Sequence, residues 1–94
     1  MRVRWLRKAL QNLADEAECI ASDDPAAAAR IVARIAEAVE RLLSFPAMGR
    51  PGRVVGTREL VVTGIPYTIP YRVRGGDVEI LRVFHAARKW PERF

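Results

Sequence analysis

The chain has 94 residues, half of them hydrophobic, and a formal net charge of +5. That length suits one domain with a modest core, and a lone cysteine, Cys19, excludes an intramolecular disulfide or a multi-cysteine zinc site. The N-terminal residues alternate charge with bulk and hold no apolar run fit for a signal peptide or membrane span, so a cytoplasmic protein without membrane contact is expected.

Charge is uneven. Residues 1–48 carry seven basic and seven acidic side chains, whereas residues 49–94 carry nine basic and four acidic ones, a surplus of five. Only Lys8 and Lys89 are lysines. The planar fork of arginine suits carboxylates and phosphates, so this half predicts an acidic protein partner or nucleic acid. Charge does not separate the two.

Residues 3–5 read as a brief first strand. Leu6, Leu10, Leu13, Ala17 and Ile20 then recur at helical spacing, with Lys8, Asp15, Glu16 and Glu18 elsewhere around the axis, and this helix ends near Ser22 and Asp23. Asp24-Pro25 is a start signal: an N-cap followed by proline in the first turn. A second helix places Ala28, Ile31, Ile35, Val39 and Leu42 on one face, with Glu37 and Arg41 at ion-pair spacing. The alanines at 26–29 permit close approach of another backbone. Two helices this close in sequence predict an antiparallel hairpin.

Pro46, Gly49, Pro51 and Gly52 mark a loop, after which the period becomes two. Leu60, Val61 and Val62 predict a strand. Tyr67, Ile69, Tyr71 and Val73 alternate with Thr68, Pro70, Arg72 and Arg74 in the next, and Gly75-Gly76 predicts a tight hairpin turn. Residues 78–84 are apolar on both faces apart from Glu79 and Arg82, as in a covered central strand. Pro70 conflicts with its strand because it donates no ladder hydrogen bond, so a bulge or an outward-facing nitrogen is expected there. The predicted class is α+β in the order β-α-α-β-β-β: a helical hairpin packed on one face of a small, mostly antiparallel sheet. Residues 1–94 are expected to form a single domain.

Chemistry concentrates in the last predicted strand and its tail, where His85, Arg88, Lys89 and Trp90 fall within six residues. A lone histidine at a strand end is more often a structural hydrogen-bonding residue than a base, and no carboxylate at a telling spacing supports it. Nucleophile contexts, metal-ligand clusters and glycine-rich phosphate loops are missing from the sequence, so no catalytic residue, metal or cofactor is expected. Arg58 and Arg82 read as strand residues that either pair with Glu59 or Glu79 or meet an acidic partner. Tyr67 and Tyr71 read as core residues with hydroxyls at the edge, and Trp90-Pro91 as an apolar plug on the sheet.

Several pieces, taken in order, resemble the ParE toxins of the RelE/ParE superfamily. They are Trp5, the Asp24-Pro25 helix start, Phe45-Pro46-Ala47-Met48-Gly49-Arg50, Arg58-Glu59-Leu60, Tyr67 with Tyr71, and Ile80-Leu81-Arg82-Val83-Phe84-His85 followed by Arg88 and Trp90-Pro91. The resemblance implies a β-α-α-β-β-β toxin of a type II toxin–antitoxin pair. ParE-like members inhibit DNA gyrase and block replication, and a ParD-type antitoxin neutralises them. RelE-like members are instead ribosome-dependent mRNA endonucleases, with lysines on the second strand, arginines on the third strand and after the fourth, and a C-terminal tyrosine. Those positions align with Arg58 and Leu60, Thr68, Arg88 and Phe94, so three of five roles are missing. The resemblance therefore favours a non-enzymatic gyrase inhibitor. The alternative is an endonuclease using Arg58, His85 and Arg88. The expected antitoxin-binding residues are Arg30, Arg34, Arg58, Arg72 and Arg82. A functional tail of His85, Arg88, Lys89 and Trp90 is expected to contact the target, with DNA contacted only through antitoxin or gyrase.

Overall fold

The computed structural model describes residues 1–86 and Trp90. Strand β1 (Val3–Trp5) is followed by helices α1 (Arg7–Ala21) and α2 (Pro25–Glu40), and a 3-10 turn (Arg41–Leu43) ends the helical part. Strands β2 (Arg50–Pro51), β3 (Arg58–Val61), β4 (Tyr67–Arg74), β5 (Asp77–Ile80) and β6 (Phe84–His85) follow. The sheet order is β1-β5-β4-β3-β2, with β6 pairing to the first residues of β4. All pairs are antiparallel except β1 with β5.

The helix starts follow from their residues. Asp24 accepts a hydrogen bond from the Ala27 amide at 3.1 Å, and Pro25 opens α2, so side chain and ring each spare an otherwise orphaned amide. The face of Ala28, Ile35, Val39 and Leu42 is buried as its spacing predicts. In α1 the stripe is rotated: Leu10 is 52 % exposed, while Ala9 is fully buried. Glu16, expected on the wet side, is buried beneath the sheet and accepts from the Tyr67 hydroxyl at 3.0 Å. Its partner lies 51 residues away, beyond the reach of a periodicity argument. The ion pair of Glu37 is with Arg34, at 4.0 Å, rather than with Arg41.

Side-chain alternation divides the sheet cleanly. Leu60, Val62, Tyr67, Ile69, Tyr71, Val78 and Ile80 meet the helices in one cluster. Glu59, Thr68, Pro70, Arg72 and Glu79 occupy the opposite, helix-free face. Gly75 and Gly76 have φ of 60° and 80°, the left-handed pair that a two-residue primed turn requires.

The predicted strand over 78–84 is interrupted. β4 residues 71–74 pair with β5, but Thr68 pairs with Phe84, so three residues (81–83) face two (69–70) and the register slips by one. This is a β-bulge opposite Pro70, whose carbonyl accepts from Leu81 at 3.0 Å. A proline nitrogen offers nothing to that side of the ladder, and the extra residue spans the gap. The Val83 amide, displaced from the ladder, donates instead to Asn12 Oδ1 of α1 at 3.2 Å. Arg82 thus lies in the bulge and not in a strand.

Candidate functional site

On the helix-free face two carboxylates are each gripped by two arginines. Glu79 accepts from Arg72 Nε at 2.7 Å and faces Arg4 Nη1 at 3.4 Å. These residues form one row across β4, β5 and β1, because Arg72 and Arg4 are both register partners of Glu79. The Arg72 hydrogen bond is the main reason the Glu79 carboxyl stays below its ordinary value. Arg2 and Asp77 make a looser, exposed pair at 3.4 Å in the next row.

The second grip is tighter. Glu59, on β3, has a side chain only 3 % exposed. Its Oε1 accepts from Arg50 Nε and Nη2 at 3.2 and 3.1 Å, and its Oε2 from the backbone amide and Nε of Arg53 at 2.9 and 3.1 Å. Burial by itself pushes this carboxyl up, but the Arg53 amide and the two guanidinium groups outweigh it and hold the group below its ordinary value. Arg50 and Arg53 were not anticipated. Nothing in a helical or strand period flags two arginines in a glycine- and proline-rich loop, although a glutamate just beyond such a loop was a usable hint.

Arg53 also contacts Trp90. Its guanidinium lies over the Trp90 ring at 3.6 Å from the centroid, and Trp90 leans on Phe84 at 4.8 Å. Of the expected Trp90-Pro91 plug, Trp90 is seated between β6 and the β2–β3 loop, and Pro91 lies outside the described residues. Thr68 and Pro70 are buried on this same face.

The predicted antitoxin-binding arginines do not share one surface. Arg30 and Arg34 are exposed on α2, and Arg34 donates to the Thr63 carbonyl at 2.8 Å. Arg58 pairs with neither predicted glutamate; it donates to the carbonyls of Gly49 at 2.9 Å and Ala47 at 3.3 Å. Arg72 is on the helix-free face, and Arg82 sits in the bulge with its Nε buried and without a hydrogen-bond partner among the described residues. Of the predicted tail cluster, His85 stacks edge-on against Tyr67 at 5.4 Å, Trp90 is seated as described, and Arg88 and Lys89 lie outside the described residues, as does Phe94. Among the described residues no group of three or more His, Cys, Asp or Glu side chains is arranged to hold a metal ion.

Tyr71 organises the loop before β2. Its hydroxyl donates to the Pro46 carbonyl at 2.7 Å and accepts from the Gly49 amide at 2.9 Å. Burial pushes this phenol's pKa up.

Two concavities bear on docking. A shallow groove of about 570 Å³ runs along the outside of the helical hairpin, lined by Ala17, Ala21, Ala28, Ala29 and Val32. A cleft of about 650 Å³ on the helix-free side lies between the start of α1 (Arg7, Lys8) and the β2–β3 turn (Val54, Val55), floored by Arg72 and Leu81.

The family model described as "ParE toxin of type II toxin-antitoxin system, parDE" matches residues 3–90. The chain is 55 % identical over 91 residues to a Sinorhizobium fredii protein named "Putative toxin Y4kP", covering 97 % of this chain and 94 % of that one. It is 39 % identical over 87 residues to Toxin RelE2 of Caulobacter vibrioides, covering 93 % and 97 %. A solved structure described as the chromosomal ParDE TA system from P. aeruginosa superposes with a TM-score of 0.82 at 32 % identity, over 90 % of this chain and 95 % of that one.

Proposed function

Because the chain belongs to the ParE toxin family of type II toxin–antitoxin systems, we propose that it acts in the cytoplasm by binding and inhibiting DNA gyrase, and that a ParD-type antitoxin neutralises it. Binding is favoured over catalysis by one observation above all: among the described residues, those that an endonuclease would use do not converge. Arg58 is aligned with Tyr71 and His85 with Tyr67, anchor points about 13 Å apart along β4 and on its opposite edges. Arg58 is tied to loop carbonyls, Leu60 is committed to the core, and Thr68 is buried. A scissile phosphate needs several cations within hydrogen-bond reach of one point.

The antitoxin's docking surfaces follow from shape and charge. The alanine-lined groove accepts a helix whose apolar face can approach closely, with Arg30 exposed on the same helix α2 for acidic residues. The cationic cleft beside Arg7, Lys8 and Arg72 suits an acidic stretch of the same partner. The second reading, a ribosome-dependent mRNA endonuclease, draws on the relative named Toxin RelE2. Expression without antitoxin separates the two. Gyrase inhibition produces DNA breaks, filamentous cells and intact mRNA; rapid translation arrest with cleaved mRNA refutes it.

A further inference from the structure

We propose that Glu59 is a positioning residue for Trp90, acting through Arg53 to hold the indole on the sheet. One edge and the flat face of a single guanidinium explain how. Arg53 presents its Nε edge and its own backbone amide to Glu59, at 3.1 and 2.9 Å. That leaves the flat face of the same group over the indole of Trp90 at 3.6 Å. A planar cation serves a carboxylate in its plane and stacks its flat face on an aromatic ring at once, a geometry that a compact ammonium lacks.

Arg53 needs this anchor. Its side chain is half exposed and sits in the β2–β3 loop, where a long arginine otherwise samples many rotamers. Glu59 is the opposite: it is inside β3, paired with Arg50 on β2 and Pro70 on β4, and nearly inaccessible. A fixed carboxylate therefore fixes the arginine, and the arginine together with Phe84 of β6 brackets the tryptophan. Arg50 shares the carboxylate, but its contacts with Glu59 run through Oε1 from the β2 side, and its role is to neutralise the buried charge. The seat thus joins three stretches distant in sequence: the loop, the strand and the tail.

The test uses the full chain with Trp5→Phe, which leaves Trp90 as the single tryptophan. Acrylamide quenching of tryptophan fluorescence then reports Trp90 alone, with far-ultraviolet circular dichroism confirming that each variant is folded. Glu59→Gln and Arg53→Lys should each lower the ratio of seated to released Trp90 by about fivefold or more, within the range of a cation–π contact. Arg50→Lys, which alters the same carboxylate without touching the indole, should leave Trp90 seated. Should Glu59→Gln not fold, Arg53→Lys against Arg50→Lys decides alone. Trp90 as shielded in a folded Glu59→Gln or in Arg53→Lys as in the parent, or equally released in Arg50→Lys and Arg53→Lys, overturns the proposal. A toxicity assay on the same variants rests on the reading that the tail touches the target. Released Trp90 with undiminished toxicity supports the positioning role and refutes that reading instead.

Discussion

Single atoms decide the loop between the 3-10 turn and β2. The Tyr71 hydroxyl satisfies one carbonyl and one amide there, and a Cβ added to Gly49 would lie 2.6 Å from Tyr71 Cε1 and 2.7 Å from its oxygen. Tyr71 is fully buried in the core, so it cannot swing aside. Gly49→Ala should therefore cost about 1–3 kcal/mol, as overpacking of a filled site does. Tyr71→Phe should cost about the same for leaving two backbone groups without their partner. Denaturant unfolding checks both, and a parental midpoint for either variant would refute this account of the loop. The glycine was legible in the sequence as a loop marker, and Tyr71 as a core residue. Their contact was not, since it joins positions 22 apart through a hydroxyl.

Among the elements, the helices were the most legible because caps and stripes are local signals. Asp24, Pro25 and the buried face of α2 behave as read, and so do the glycine turn and the first strand. The last strand was misread for a physical reason. Residues 81–83 are as apolar as those before them, and hydrophobicity says nothing about register; Pro70 was the sole warning of a slip. The carboxylate grips on the helix-free face were hidden too, because each glutamate finds its arginines in other elements. They carry a pH consequence. Glu59 and Glu79 both titrate lower in the folded chain than their ordinary value of 4.5. The unfolded chain then binds more protons than the folded one across that interval, so their stabilisation is complete above about pH 4.5 and fades as pH falls through the folded values. Glu59→Gln should flatten the acid side of the stability–pH curve. An unchanged acid slope would show that the buried grip contributes nothing.

For the whole molecule, the division of labour between the two sheet faces is the main result. One face is consumed by packing against the helical hairpin. Among the described residues, the other pairs Arg2, Arg4, Arg50, Arg53 and Arg72 with only Glu59, Asp77 and Glu79, so its two best-buried carboxylates are already neutralised. An acidic antitoxin meeting this face should associate fast at low salt and more slowly as salt rises, while the apolar helical groove holds its dissociation rate nearly constant. Truncating Arg4 and Arg7 should lower the association rate and its salt slope together; an unaltered rate at low salt would remove electrostatic steering from the account.

The central claim is that this toxin works by binding gyrase. It is tested most directly with purified gyrase, measuring supercoiling and trapped DNA cleavage with and without the protein. The account predicts a dose-dependent loss of supercoiling with accumulation of cleaved DNA, both reversed by antitoxin. Full supercoiling activity and no trapped cleavage at saturating toxin would contradict it.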